Sequence, residues 1–530
     1  MLYDNNIWVA TKATGEAVCL LPQKACRHGL ITGGNNKEVD ITARLLAEGF
    51  SSLGVPVFMT DIHRNLAGML VPGNDSEHIQ EMISHMGSGK NSFCFQGFPV
   101  TLWDVFGKTG IPLRVDVTQI GPVLLSRMLN LSALQSDILK TLYRIASDTG
   151  FLLIDIKNLK AVINYVRGRV NQYTPVYGQI RTTDLDDIMR ALVKLEIGNT
   201  ELFFGEVSLN ILDIFQSDIE GNGVINILDS NFLVRNVVLY TSVLLWLLSE
   251  LCEMMPDAYD LPRPKLAIFI DEAHFLFRDN NRVYLEMVEG VIKKLSRKGV
   301  AVFFCTQKMQ DIPDDVLRYL ENRIQHSPYA YTPAQLKEAR LVAKLFRKNP
   351  AFNTFDALTS LSSGEALLSL LGKENQPCPV EKGYLLPPQS NMGGISDYDR
   401  EQCIMGNPLY TKYACRYDPE SAYEFLSRME AEEAVAAEKA KLEAILAKEQ
   451  AKIEAARVLE ETRRAAMLEN EKKRTMEATQ GLFSSTFTNS VSNSSSKQSS
   501  QKSVGKFGKT IGGNRGASLG NGIIGTLFKE

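Results

Sequence analysis

The segment KLAIFIDEAHFLF (265–277) has the residue types and order that phosphate chemistry needs. An apolar run that ends in two adjacent acids suits a Walker B strand: it crosses a sheet interior and delivers Asp271 and Glu272 at its carboxyl end. There Asp271 would orient a Mg²⁺ ion through water, and Glu272 would polarise the attacking water. The plainer alternative is a buried strand that merely ends in acids. The next apolar run, GVAVFFCTQ (299–307), ends at Gln307, where a sensor glutamine would meet a γ-phosphate.

The letters Asp-Glu-Ala-His also spell a DEAH helicase box, but no Ser-Ala-Thr motif and no Gln-x-x-Gly-Arg-x-Gly-Arg follow them. A phosphate loop should come earlier, and HGLITGGNNKEVDITARLLAEGF (28–50) has the right context of apolar strand, glycines and helix. The signature G-x-x-x-x-G-K-[ST] wraps backbone N–H groups around phosphates, neutralises them with Lys and holds Mg²⁺ with the hydroxyl. Counted from Gly33, its last three positions are Glu38, Val39 and Asp40. Gly33, Gly34 and Lys37 remain as candidate phosphate contacts, with Lys37 two positions early. GSGK (87–90) lacks the first glycine, has Asn91 after its lysine, and reads as a turn.

The elements that would position these groups follow from apolar spacing. Residues 1–26 give N-terminal strands with an opening hairpin, Ile7–Ala10 against Ala17–Leu21. Up to residue 118 the pattern is strands and turns with one helix between them; central strands are expected at 28–32, 55–60, 266–270 and 300–305. A helical insertion is expected over 119–232, and the sheet resumes over 233–417, with segments near Ile324 and at 365–371 completing it. Residues 418–480 turn to Ala, Glu, Lys and Arg and predict one long charged helix, read as a spacer in preference to a coiled coil because its apolar stripe is sparse. Residues 481–530 are rich in Ser, Gly and Lys, with six basic residues against one acid, and read as a disordered tail.

The 530 residues carry 58 Lys and Arg against 61 Asp and Glu, a net charge of −3, so no global basic footprint marks a nucleic-acid binder. Eight cysteines without a C-x-x-C pair argue against zinc and fit a reducing compartment. With no signal-like N-terminus and no run of 18 apolar residues, the expectation is a cytoplasmic chain outside the membrane.

The chain resembles the bacterial HerA-like proteins of the FtsK–HerA superfamily over roughly residues 1–425. The resemblance rests on HGLITG, GVPVFMTDIHRNLAG, IGPVLLSRMLNL, ELFFGE, KLAIFIDEAHFLF, KGVAVFFCTQKMQDIPDDVLRYLENRIQH and LFRKNPAFNTFDALTSLSSGEALLSLL. It implies an α/β, RecA-like P-loop NTPase core, ATP and Mg²⁺ as cofactors, ring assembly as a homo-oligomer, and DNA translocation in its best understood members. By carry-over Asp271 and Glu272 match the Walker B acids, with Asp271 at the metal, Gln307 the sensor, and Arg323 an arginine acting across a subunit boundary. The alternative for Arg323 is a salt bridge to Glu321 or Asp314, and Arg297 is a second, weaker choice. This chain departs from the family at the Walker A positions and at Ile62–Asn65, where a Lys-Gly-Asp-like run is usual. Two functions compete: a HerA-like scaffold with weakened or lost ATP hydrolysis, and a working ATPase coupled to DNA. If the loop is inert, a basic side chain, such as Lys37 or Arg44, or an ordered water is expected beside Asp271 in the phosphate space.

Overall fold

Five-residue runs such as LAIFI have no polar face, so they can only be strands covered on both sides. A computed structural model of the chain describes residues 1–87, 93–197, 200–278 and 282–483. The strands are β1 (Leu2–Tyr3), β2 (Asn6–Lys12), β3 (Ala17–Leu20), β4 (Gly29–Thr32), β5 (Val57–Asp61), β6 (Val100–Asp104), β7 (Ile111–Pro112), β8 (Ile225–Asp229), β9 (Leu266–Ile270), β10 (Val300–Thr306), β11 (Asn322–Gln325), β12 (Glu365–Ser369) and β13 (Glu381–Leu385). They form one sheet in the order β1-β2-β13-β12-β11-β4-β10-β9-β5-β8-β6-β7, with β3 beside β2. From β11 to β7 every pairing is parallel, while β11 to β12, β13 and β2 is antiparallel. The sensor strand β10 thus lies between the loop strand β4 and the acid strand β9, the RecA-like arrangement that the resemblance implied.

The helices are α1 (Asn36–Ser52), α2 (Glu77–Ser84), α3 (Val117–Met128), α4 (Ala133–Thr149), α5 (Ile156–Gly168), α6 (Val170–Tyr177), α7 (Thr182–Ile197), α8 (Val237–Met254), α9 (Arg282–Arg297), α10 (Asp314–Leu317), α11 (Pro333–Lys344), α12 (Thr354–Thr359), α13 (Asp397–Met405), α14 (Pro408–Tyr413) and α15 (Ala422–Phe483). The two-residue repeat of the strands splits the core into two clusters. Leu266, Ile268, Ile270, Val302 and Phe304 join the apolar faces of α3 to α9, whereas Phe269, Phe303 and Cys305 face Val39, Leu46 and Phe50 of α1. Phe269 stacks on Phe303 with centroids 5.0 Å apart, and Phe50 tilts onto Phe303 at 5.8 Å, which fixes α1 on the sheet. The close packing reaches Gly29, where a Cβ would lie 2.3 Å from the Phe303 ring.

Three expectations change. The sheet reclaims residues 225–229 as β8, so the helical layer of α3 to α7 ends well before residue 232. INILD carries Asn226 inside it and Asp229 at its end, so beside helical segments it is too short and too mixed to declare itself a strand. α2 is a second helix within the first 118 residues. The charged helix starts at Ala422, because Ser421 and Glu424 form its N-terminal cap and Lys157 binds both Asp418 (2.7 Å) and Glu424 (2.9 Å). The long chain falls into two units, 1–435 and 436–530; in the second, residues up to 477 of α15 are exposed along the whole helix. The tail beyond residue 483 and most of GSGK lie outside the described residues. α8 is long and apolar enough to cross a membrane by length and composition, yet its Tyr240, Leu244, Trp246 and Leu248 are buried against the sheet layer.

Asn226, buried in the middle of β8, joins three elements: it accepts from Trp103 Nε1 (3.0 Å) and donates to the carbonyls of Val57 (3.2 Å) and Ile214 (3.1 Å). Asn226→Leu should cost about 2–4 kcal/mol by orphaning the buried indole N–H, read by urea denaturation. A loss under about 0.5 kcal/mol would mean β8 is not the interior strand described here.

Candidate functional site

Asp271, Glu272, Gln307 and the segment from Gly33 to Asp40 fall at the carboxyl ends of β9, β10 and β4, where loops and helix starts converge. β4 ends at Thr32, whose hydroxyl donates to Gln325 Oε1 (2.6 Å). Only Gly33, Gly34 and Asn35 separate it from α1. The phosphate-loop signature needs six residues before its lysine, whereas here α1 has already started at the fourth, Asn36. One amide of this turn and two of the first turn of α1 are bonded internally. Gly34 donates to Ser327 O (3.0 Å), Lys37 N to the capping Asn35 Oδ1 (3.1 Å), and Glu38 N to Asn35 O (3.2 Å). Gly33 must stay glycine because a Cβ would stand 2.6 Å from that of His326.

The signature positions consequently sit on α1, where Glu38 and Val39 turn away from Asp271 and Asp40 alone faces it. Val39 is 3% exposed and belongs to the core beneath the helix. Glu38 turns to the β11–β12 edge, 3.7 Å from His326 Nδ1, and burial outweighs bonds from Ser363 and Gly364 to raise its carboxyl above the ordinary range. His326 is fully buried, which pushes its ring down to about 4, and its Nε2 meets Thr42 Oγ1 at 2.9 Å. Lys37 is exposed.

Asp271 follows β9 directly. Its N–H donates to Thr60 Oγ1 (2.8 Å), its carbonyl accepts from Tyr240 (3.0 Å), and its Oδ1 accepts from Glu272 N (2.8 Å). Burial, then the nearby carboxylates of Asp40 and Glu272, hold its carboxyl well above the usual range. Asp40 accepts from Asn65 Nδ2 (3.0 Å) and is raised by burial as well. Asp61, at the end of β5, takes the amides of Asn65 and Leu66 and is pushed up to about 6, first by burial and, among charges, by Asp229. The gap between Asp40, Asp61, Asn65 and Asp271 measures about 10 Å³, the space of a single water. Glu272 differs. Burial would raise it, but His274 Nδ1 at 3.0 Å and Asn36 Nδ2 at 2.9 Å outweigh that and hold it below the carboxylate norm, with the backbone at a φ of 46°.

Of the two occupants expected beside Asp271, the basic side chain is not there, while the gap has the size of one water. Lys37 points to solvent, and Arg44 gives its guanidinium to the carbonyls of Asn391 (2.5 Å) and Asn65 (2.9 Å). Hydrogen bonds with Thr60, Tyr240 and Asn65 meet this cluster where a cation is expected. Among the described residues no three His, Cys, Asp or Glu groups are arranged to hold a metal. Gln307 is exposed just beyond β10 and lines a separate 70 Å³ cleft with Gly34, Gln325 and Tyr329. Arg323 forms neither suggested salt bridge. It donates to the carbonyls of Leu317 (3.1 Å), Leu320 (3.0 Å) and Leu345 (3.0 Å), so its donors tie α10 to the end of α11. Arg297 ends α9, at the opposite edge of the sheet, where β10 begins. Asn36, Thr60, Asn65 and His326 escaped sequence reading, because each works through a contact distant in sequence and carries no motif of its own.

A family model described as helicase HerA-like C-terminal matches residues 7–515. No curated protein matches. Solved structures with similar folds include the bacterial conjugative coupling protein TrwB (12% identity, TM-score 0.46, 74% of this chain and 93% of that one). VirB4 of Thermoanaerobacter pseudethanolicus is also similar (14% identity, TM-score 0.47, 75% and 99%), as is TrwB in complex with ADP and Mg²⁺ (11%, 0.44, 73% and 91%).

Two outcomes follow from this geometry. Val39→Lys, which restores the signature lysine, should bury an amine in the core and lower stability by about 2–4 kcal/mol in a denaturant melt, without creating phosphate binding. For Asp271, a folded-state carboxyl raised above its unfolded value binds protons more readily when folded, so its contribution falls as pH rises through that window. The Tm advantage of Asp271→Asn over wild type should be near zero at pH 4 and grow toward pH 8; a Tm deficit at pH 8 would show an ionised, partnered carboxylate instead.

Proposed function

The chain belongs to the helicase HerA-like C-terminal family, and from that premise we propose a HerA-type core that has weakened or lost ATP hydrolysis and works as an assembly or partner-binding scaffold. The observation that carries this reading is the turn between β4 and α1, whose amides number only three, with that of Gly34 already bonded to Ser327 O. A triphosphate needs those amides, a lysine and a cation to balance its charge. At the same place this chain offers Asp40, Asp61 and Asp271 around a 10 Å³ gap, with Lys37 in solvent. These acids and the exposed Lys37 support a site that holds ATP with Mg²⁺ weakly or not at all. Partner binding needs only the sheet and its helices, which are kept. Homo-oligomer formation through this core is part of the reading.

A second reading, a working ATPase coupled to DNA translocation or processing, draws on one feature. Glu272 is held ionised by His274 and Asn36 next to Asp271, as a water-polarising glutamate would be. It requires Gly34 to release Ser327 and α1 to unwind its first turn.

Titration of the full chain with a fluorescent ATP analogue and Mg²⁺ separates the two. The scaffold reading expects no saturation below about 1 mM, an interaction weaker than roughly 4 kcal/mol. Micromolar binding that Asp271→Asn abolishes would overturn it and establish the second.

A further inference from the structure

α11 ends at Lys344, and the chain then loops through Phe346 and Phe352 into α12. Between these segments lies a cleft of 620 Å³, the roomiest among the cavities described here. Its rim carries Arg340, Lys344 and Lys348, all exposed, and its wall carries Phe346, Phe352 and Phe355. No carboxylate lines it, and among the described residues none of the three cations has an ion-pair partner; the ion pair of α11, Lys308 with Glu338, lies outside. Arg340 lies over the Phe355 ring at 5.2 Å, so one cation is already aligned with the apolar wall. The cleft is preformed: Asn353 caps α12 through Phe355 N (2.9 Å), and Asn349 Nδ2 binds Val380 O (2.8 Å).

We propose that this cleft docks an acidic peptide segment bearing an aromatic or branched apolar side chain. Charge complementarity selects an anion, because three unpaired cations without a facing acid repel one another until a polyanion arrives. The apolar wall selects against a purely ionic partner, since burying one Phe or Leu side chain adds binding that carboxylates alone lack. The rings also argue for a peptide over a nucleic-acid strand. Phe346 is buried and Phe352 and Phe355 are half-buried, so they form a pocket wall in place of the free stacking platforms that bases use. Arg340 and Lys344 stand one helical turn apart, about 6 Å, a spacing that alternate side chains of an extended peptide match. The proposal does not involve the β4–α1 turn and stands whether or not ATP binds.

The probe is a fluorescein-labelled decapeptide of Asp and Glu with two Phe residues, followed by anisotropy against the full chain at 0.15 M salt. Saturable binding is expected, weakened roughly tenfold in the Lys344→Ala, Lys348→Ala double variant. Both lysines are exposed, so the variant should keep the wild-type melting curve. Replacing the probe's Phe residues by Ser should weaken binding comparably. The proposal is overturned if the wild type does not bind the probe, or if the Ser peptide binds equally well. It also fails if a ten-nucleotide oligo-dT binds more tightly with the same sensitivity to the double variant, which would mark a nucleic-acid surface. A change in the oligomeric mass of the double variant would assign the cleft to a second copy of this chain and equally overturn it.

Discussion

The bond from Gly34 N–H to Ser327 O closes the turn between β4 and α1 and determines what the surrounding residues can do. With that amide engaged, the chain must enter α1 at Asn36, and a helix begun there points Val39 into the core and Glu38 toward His326. His326 in turn fits beneath Gly33 only because no Cβ is present. Each member of the set excludes alternatives for the next. Reopening the turn would have to free Gly34, uncap Asn35 and expose Val39 together, so the arrangement is cooperative and not the sum of three substitutions.

The acids at the strand ends follow a second logic. Asp104, Asp229, Asp61 and Asp271 end or follow the neighbouring strands β6, β8, β5 and β9. Such a row is tolerable because backbone N–H groups and hydroxyls satisfy it. Asp104 takes the amides of Phe106, Lys108 and Thr109, and Thr109 Oγ1 also donates to Asp229 (2.6 Å). Arg64 contributes the cation at Asp229, 2.9 Å away. Toward β9 the supply of donors thins, and burial shifts Asp271 toward its neutral form. The buried histidines work the other way. His28 and His326 are both pushed down to about 4 by burial, so they favour folding above their ordinary range and weaken it as pH falls from about 6.5 toward 4.

The central strands were legible from sequence because runs such as VAVFFCT have no polar face, and Asp271 and Glu272 were legible because acids directly after such a run can only sit at a sheet edge. What the acids touch was not. Asn65 reaches Asp40 across 25 residues and His326 reaches Thr42 across 284, and no local pattern encodes such pairs. The exposed Gln307 and the strut-like Arg323 show the complementary limit: a motif places a residue on an element but does not say where its side chain is spent. β8 was hidden for a third reason, since INILD is too short for a period of two to stand out beside longer helical segments.

The position of β4 governs how the molecule is made. It sits between β10 and β11, and its Thr32 pairs with Gln325, 293 residues further along the chain. At the usual pace of synthesis that separation corresponds to roughly 15–60 s, for most of which β4 has been made and neither neighbour exists. An apolar strand followed by an amphipathic helix must wait through that interval with both faces uncovered. Folding of this sheet is therefore committed late, once β10 and β11 have been made.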